Sequence, residues 1–237
     1  MIGADFEKIH FELLGLNLVE PMAFVTNVII ALVAFVILFK VSRIKSNLAF
    51  YTYWKWFFGL LGFGAIGGAV GHTFYYYFGV AGKFPTWLVG PVAVYCLEQA
   101  MISIHPNEVK MQKLKWFSKV KIFLVYTFFF VIYFSVPISD KSTLPFLPVA
   151  MNTMLGVLLF AGLLANYYAV NLSHEFKLFY FGVLLTLPIA FIFLLKINLH
   201  PWFDKNDLSH LLMTIGIIFF YSAIKKVSRS LPGFQSR

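Results

Sequence analysis

The sequence predicts an all-α integral membrane protein, a bundle of seven transmembrane helices. Three observations lead to this prediction: 60% of the 237 residues are hydrophobic, only 12% are charged, and the mean hydropathy is +0.80. In a typical soluble domain about a quarter of the residues are charged. The composition therefore excludes a water-soluble enzyme, a disordered chain and a fibrous repeat.

Seven apolar stretches have the length that a helix needs to cross a bilayer, about 20 residues at 1.5 Å per residue. They occupy residues 21–39, 54–79, 86–104, 120–138, 145–170, 178–197 and 208–224. The loops between them are short, so residues 1–237 are expected to form a single transmembrane domain. The first stretch follows an acidic segment rather than a basic one, which favours a membrane span over a cleaved signal peptide.

The distribution of basic residues predicts the orientation of the bundle. If the spans alternate from the N-terminus, 14 of the 19 basic residues fall on one side of the membrane. These are Lys40, Arg43, Lys45, Lys55, Lys110, Lys113, Lys115, Lys119, Lys121, Lys177, Lys225, Lys226, Arg229 and Arg237, and the other side keeps Lys8, Lys83, Lys141, Lys196 and Lys205. The positive-inside rule makes the richer side cytoplasmic, with the N-terminus outside and the C-terminus inside. The net charge of +9 thus reflects topology, and no nucleic-acid partner is expected.

Polar side chains inside the spans are candidate functional residues, because they are costly in lipid and usually face the bundle interior. His72 lies about seven residues from the outer end of the second span, about 10 Å deep. Asn27 and Asn152 lie at a similar depth in the first and fifth spans, and His210 begins the seventh. Four helices therefore place polar groups in the same outer third of the membrane, which predicts a shared pocket.

The spacing of Asp207 and His210 indicates a zinc site. Residues three apart share a helix face, so this carboxylate and imidazole, together with His72, can supply zinc ligands. The loop before them adds three further polar candidates for the pocket: His200, Asp204 and Asn206. Two alternatives remain open. Asp207 is also a suitable N-cap for a helix beginning at Leu208, and a single histidine can simply hydrogen-bond to a neighbouring helix.

Glu98 is a separate candidate, since it lies about 12 residues into the third span, about 18 Å deep and away from this pocket. A carboxyl group inside the membrane is a functional candidate, as a proton carrier or as the partner of a buried polar group. The alternative is a protonated carboxyl bonded to the adjacent Gln99 or to a backbone carbonyl.

Three short motifs carry a resemblance to a known superfamily. They are Glu20-Pro-Met-Ala-Phe-Val-Thr26-Asn27, Gly67-Gly68-Ala-Val-Gly71-His72 and Asn206-Asp207-Leu-Ser-His210. They resemble, in that order, the Glu-x5-Ser-Asn, Gly-Ser-x-x-x-His and His-x-x-x-His motifs of alkaline ceramidases. These enzymes belong to the CREST group of seven-span proteins, with the Per1-type lipid-remodelling proteins and the adiponectin/progestin receptors.

The resemblance implies a zinc-dependent hydrolase of amide or ester bonds, in which His72 and His210 match metal ligands. Asn206 stands at the position of the family's third histidine, and the adjacent Asp207 is a possible substitute ligand. Gly68 stands at the position of the family's Ser. The family's Asp, about 11 residues after the first histidine, would fall near Lys83, so no equivalent is visible.

Two functions are therefore considered. The first is a zinc-dependent hydrolase of a lipid-like amide or ester near the outer leaflet, with membrane lipids as partners. In it Glu20 or Asp204 is the general base, and Asn27 and Asn152 orient ligands or substrate. The second is a non-enzymatic channel, carrier or subunit of a membrane complex with a structural polar cluster, which would depend mainly on Glu98.

The compact termini and the lack of an endoplasmic-reticulum retention signal favour a bacterial-type cytoplasmic membrane.

Overall fold

The computed structural model describes residues 2–136 and 144–230. The end of the fourth predicted span at 138, and the basic residues Lys141 and Arg237, lie outside these described residues. Within them the chain is mainly helical, and six helical segments are long and apolar enough to cross a membrane. These segments are Pro21–Ser42, Tyr75–Ile102, Glu108–Ser135, Phe146–Asn171, His174–Leu194 and Lys205–Ser230. The all-α class and the membrane helical bundle are therefore confirmed.

The first half of the chain forms the helices that carry most of the polar candidates. Their bounds are α1 Pro21–Ser42, α2 Ala49–Thr73, the single turn α3 Tyr75–Phe78, a 3-10 turn Gly79–Lys83 and α4 Phe84–Ile102. The predicted second span, 54–79, is thus divided, because the helix ends at Thr73 and the chain turns at Phe74. At 25 residues α2 is long enough to cross a bilayer, but its glycine, tryptophan and tyrosine residues keep it outside the six most apolar segments.

Helix α5, Glu108–Ser135, begins about 12 residues before the apolar stretch that predicted it. The side chain of Asn107 caps it by accepting a hydrogen bond from the backbone nitrogen of Lys110 at 2.9 Å. The basic stretch 110–121, which lies mostly before the predicted fourth span, is helical and forms the first half of α5. Lysine is a good helix former, so the helix continues beyond its apolar part.

The second half of the chain contains α6 Phe146–Gly156, a π-helical segment Val157–Leu164, α7 Ala165–Asn171, a 3-10 turn His174–Phe176, α8 Lys177–Thr186, α9 Pro188–Leu194 and α10 Lys205–Ser230.

The N-cap of α10 is Asp204 rather than Asp207. Oδ1 of Asp204 accepts hydrogen bonds from the backbone nitrogens of Asn206 at 2.7 Å and Asp207 at 3.3 Å. The helix therefore begins three residues earlier than the sequence suggested.

The helices form a closed ring. α2 packs against α1 and α4, α10 packs against α1 and α8, and the π-helical segment packs against α4 and α8. α5 lies outside this ring, against α4 and α6. A large aromatic cluster fills one part of the ring, where the Trp54 ring stacks on Phe179 with a centroid distance of 5.2 Å. Large apolar side chains also cover the outer surface, as expected for a surface in contact with lipid.

A short β-hairpin precedes α1 and was not predicted. Strand β1, His10–Leu13, pairs antiparallel with β2, Leu16–Val19. The two residues between the strands, Leu14 and Gly15, have φ angles of 53° and 77°, which match the hairpin turn that the twist of the strands favours. The backbone nitrogen of Asn17 donates to the hydroxyl of Tyr77 at 3.0 Å. The hairpin therefore covers the end of the bundle at which α2 ends and α1 begins.

Candidate functional site

His72 and Glu20 form the first part of the site. Glu20 links the hairpin to α1 with a φ angle of 52°, and His72 lies in the last turn of α2. Nδ1 of His72 is 2.7 Å from Oε2 of Glu20, and Nζ of Lys8 is 3.1 Å from Oε1. Burial opposes ionisation of Glu20, but the hydrogen bond to His72 and the charges of Lys8 and Lys83 lower its pKa to about 2. The carboxylate is therefore ionised, and Nδ1 of His72 is the donor.

His210 and α1 form the second part. Nδ1 of His210 lies 2.9 Å from Oγ1 of Thr26, which is also 3.1 Å from Oδ1 of Asp207 and 3.0 Å from the backbone oxygen of Met22. A hydroxyl has one proton to donate, and the carboxylate and carbonyl oxygens compete for it. We therefore assign Nδ1 of His210 as a donor to Thr26. Nε2 of His72 and Nε2 of His210 have no hydrogen-bond partner among the described residues.

The two imidazoles face each other across the site. Their ring centroids are 6.5 Å apart with the planes at 86°. Asn27 lies beside His210, with Nδ2 donating to the backbone oxygen of Ala23 at 2.8 Å and 3.5 Å from Nδ1 of His210. The polar pocket is therefore built by α1, α2 and α10 together with the end of the hairpin.

The structure brings five of the predicted residues together, namely Glu20, Asn27, His72, Asp207 and His210. It adds two that the sequence analysis did not select. Thr26 is part of the first motif but was not given a role, and Lys8 precedes the predicted spans. A hydroxyl one residue before Asn27 was a usable signal, whereas the pairing of Lys8 depends on the hairpin.

Four other predicted residues lie elsewhere or have another role. His200 is exposed in the loop before α10, where Nδ1 accepts from the backbone nitrogen of Trp202 at 3.1 Å. Asp204 and Asn206 are committed to the start of α10, and Nδ2 of Asn206 donates to Asp204 at 2.9 Å. Asn152 does not lie in the pocket, since its side chain bonds to Lys121, the partner of Glu98.

Glu98 belongs to a second buried polar cluster, between α4, α5 and α6. Its Oε1 is 2.7 Å from Nζ of Lys121, and its Oε2 accepts from the hydroxyl of Ser118 at 2.5 Å. Nε2 of Gln99 donates to the same hydroxyl at 3.1 Å, and Lys121 also donates to Oδ1 of Asn152. Of the roles considered for Glu98, partner of a buried polar group matches these contacts.

Gly68 explains how Asn27 fits beside α2. A Cβ atom at Gly68 would lie 2.7 Å from Oδ1 of Asn27, a distance too short for an ordinary contact. The amide of Asn27 thus occupies the space that a side chain at position 68 would fill. The Ser of the resembling motif therefore has no room here while Asn27 keeps its place.

The substitution Gly68→Ala is expected to lower stability by about 1–3 kcal/mol, the usual range for overpacking. Thermal unfolding of the purified protein in detergent measures this effect. The control is Gly59→Ala in the same helix, where the nearest side-chain atom would be an ordinary 3.7 Å away, on Leu38. Equal stability of the two variants would show that Asn27 can move freely.

The pocket supplies donors of the kinds that zinc binds, imidazole nitrogen and carboxylate oxygen. Two of the three expected ligands, His72 and His210, each have Nε2 unengaged. The third, Asp207, uses Oδ1 with Thr26 and accepts at Oδ2 from the backbone nitrogen of Asp204 at 3.0 Å. Within residues 2–136 and 144–230, no three His, Cys, Asp or Glu side chains form a group that could hold a metal ion. Two imidazole nitrogens therefore remain as candidate ligands, one fewer than the three protein ligands of a usual catalytic zinc site.

The fold and the pocket define a polytopic helical membrane protein with a buried polar site at one end of its bundle. Residues 22–229 match a family described only as a family of unknown function, DUF6962. The chain belongs to this family. No curated protein and no solved structure matches the chain.

Proposed function

We propose that this protein is a membrane-embedded hydrolase that cleaves an amide or ester bond of a lipid-like substrate near the outer leaflet. One observation carries the proposal: His72 and His210, from separate helices, face each other at 6.5 Å, and each ring is held at Nδ1 by a polar side chain. Ligand and base histidines in hydrolases are commonly oriented in this way, by a hydrogen bond at the other ring nitrogen.

A zinc ion is part of the proposal, with His72 and His210 as the residues that would hold it. When bound, zinc supplies a Lewis acid and a water of lowered pKa. The chain itself supplies the orientation. Glu20 fixes the ring and tautomer of His72, Thr26 does the same for His210, and Asp207 is the carboxylate that faces this cluster from α10. Nδ2 of Asn27 already donates to the backbone oxygen of Ala23, and its second N–H would bind a polar group of the substrate.

The proposal includes a membrane arrangement. We infer that α2 is a seventh span, that the N-terminus lies outside and that the C-terminus is cytoplasmic in a bacterial-type inner membrane. The uneven distribution of basic residues supports this orientation, and the packing of α2 between α1 and α4 supports its crossing of the bilayer with them. The three motifs support a distant kinship with the CREST group.

Metal analysis of the purified chain tests the zinc part of the proposal. Wild-type protein is expected to carry about one zinc ion per chain, the complement of one such site, and His72→Ala and His210→Ala to lose it. His105→Ala is the control, because His105 stacks on Tyr167 instead, with ring centroids 5.8 Å apart. Wild-type protein without zinc would remove the metal from the proposal.

Hydrolysis is tested separately, with fluorogenic acyl amides and esters in mixed micelles. The variants His72→Ala and His210→Ala are each expected to hydrolyse these substrates about 10²-fold more slowly or worse, which is the usual effect of removing a general base. Cleavage at equal rates by wild type and both variants would contradict the assigned site.

A second candidate function is a non-enzymatic carrier or subunit organised around a structural polar cluster. The cluster of Glu98, Lys121, Ser118 and Asn152 favours it, because buried charges inside a membrane often belong to transport or assembly sites. Under this alternative, function depends on Glu98 and is unaffected by His72→Ala. Comparing Glu98→Gln with His72→Ala in cells that require the protein separates the two candidates.

A further inference from the structure

Lys83 differs from the other described lysines at its end of the bundle. Lys8 pairs with Glu20, and both Lys196 and Lys205 pair with Asp5. Within residues 2–136 and 144–230, no carboxylate lies within ion-pair distance of Nζ of Lys83. Its side chain is half-buried, so its charge is not freely exposed to water.

Lys83 and a second lysine contact the same aromatic ring. Nζ of Lys83 lies 5.4 Å from the centroid of the Tyr75 ring, and Nζ of Lys8 lies 4.2 Å from the same centroid. The ring attracts both ammonium groups, but the two like charges repel each other. Glu20 forms its short ion pair with Lys8, acts on Lys83 only at longer range, and shares its carboxylate with His72. Two lysines at this ring thus share one ion-paired carboxylate, which leaves positive charge in excess.

A close backbone contact sets the position of Lys83 next to the pocket. A Cβ atom on Gly71 would lie 2.5 Å from the backbone oxygen of Gly82, so only glycine allows the 3-10 turn to pack on the end of α2. Gly71 precedes His72, and Gly82 precedes Lys83. The same contact thus brings the backbone of Lys83 close to the turn of α2 that carries His72.

We propose that Lys83 and Lys8 bind a phosphate group of an anionic lipid-like ligand at the Tyr75 ring. This inference deepens the proposed function, on which it rests, by naming the headgroup chemistry of the substrate. Two ammonium groups match a phosphate monoester, which carries more than one negative charge near neutral pH. Tyr75, Tyr76 and Tyr77 form the kind of aromatic belt found at the membrane interface, where lipid phosphates lie. The ligand's acyl chains would remain in the bilayer while its headgroup enters the pocket.

Calorimetric titration of the purified full chain in neutral detergent tests the proposal. The His72→Ala variant is used throughout, so that binding is measured without turnover. The probes are dihexanoyl phosphatidic acid, dihexanoylglycerol and inorganic phosphate. We expect phosphatidic acid to bind and Lys83→Gln to weaken its binding by about tenfold, as for the loss of one charge-assisted contact. Lys83→Arg is expected to retain most of the affinity, and Lys196→Gln, which is paired with Asp5 in the wild type, is the matched control.

The probes distinguish the source of the phosphate. Tighter binding of phosphatidic acid than of inorganic phosphate, with little binding of dihexanoylglycerol, supports a lipid headgroup. Equal binding of the two phosphate compounds supports a site for free phosphate. The anion site is overturned if the His72→Ala chain binds phosphatidic acid with the same affinity whether or not it also carries Lys83→Gln. The two chains must have the same melting temperature for this comparison.

Failure of this inference is distinct from failure of the proposed function. Binding through Lys83 in a wild-type chain that hydrolyses none of the test substrates would keep the anion site and remove the hydrolase. Hydrolysis that is lost on His210→Ala but unchanged by Lys83→Gln would keep the hydrolase and remove the anion site.

Discussion

Replacing Lys121 by Met is expected to destabilise the protein by about 3–5 kcal/mol, because it leaves a buried carboxylate without its partner. Glu98 is fully buried, and its Oε1 lies 2.7 Å from the ammonium group that the substitution removes. The neutral side chains of Ser118 and Gln99 in the same cluster cannot replace that charge. Unfolding in mixed micelles with increasing sodium dodecyl sulfate measures the change in free energy.

A double variant separates the pair from the packing around it. Glu98→Met with Lys121→Met removes both charges, and we expect it to recover much of the lost stability, since an apolar replacement for a buried ion pair is often neutral. Lys119→Met is the control, because Lys119 is exposed on the same helix. If Lys121→Met alone is as stable as this control, the ion pair does not contribute to the fold.

The second large effect is expected for Glu20→Gln, in both stability and activity. The pKa of Glu20 falls from an ordinary 4.5 to about 2, so the ionised carboxylate stabilises the fold, and loss of its charge-assisted hydrogen bond is expected to cost about 1.5–3 kcal/mol. The substitution also removes the charge that orients His72. We therefore expect a lower melting temperature and a loss of about 10- to 100-fold in hydrolysis.

The pH dependence has a definite sign. Because the pKa of Glu20 is lower in the folded chain, its contribution is fully present above about 4.5 and is lost as the pH falls towards 2. The difference in melting temperature between wild type and Glu20→Gln should therefore shrink over this range. Glu7→Gln, at an exposed glutamate, serves as the control. A difference that stays constant from pH 7 to 3 would contradict the assigned charge.

The helices were predictable because a bilayer imposes a minimum length on apolar segments. The first motif located α1, and the three-residue spacing placed Asp207 and His210 on one face of α10. The pairing of Lys121 with Glu98 could not be predicted, for a physical reason. It follows a run of exposed lysines in sequence, and nothing local distinguishes a lysine that finds a carboxylate on another helix.

The composition of the pocket could be predicted only in part. Depth along a span follows from counting residues, but the direction that a side chain faces depends on how the helices are arranged around the ring. Asn27 and Asn152 were predicted to lie at similar depths and were grouped together, yet α1 belongs to the His72 pocket and α6 contacts α5. The bond between Glu20 and His72 depends on the hairpin and on the positive φ angle at Glu20, and neither has a periodic signal.

The Glu98–Lys121 ion pair has a consequence for how the protein is made. A lone charged side chain at the centre of a nascent span opposes its release from the translocon into lipid, by about 2.5–3.5 kcal/mol. α4 carries the acid and α5 the base, and only a short connection separates them along the chain. We expect these two helices to partition together as a neutralised hairpin during synthesis, so that a ribosome-bound fragment ending after α4 would insert less efficiently than one that includes α5.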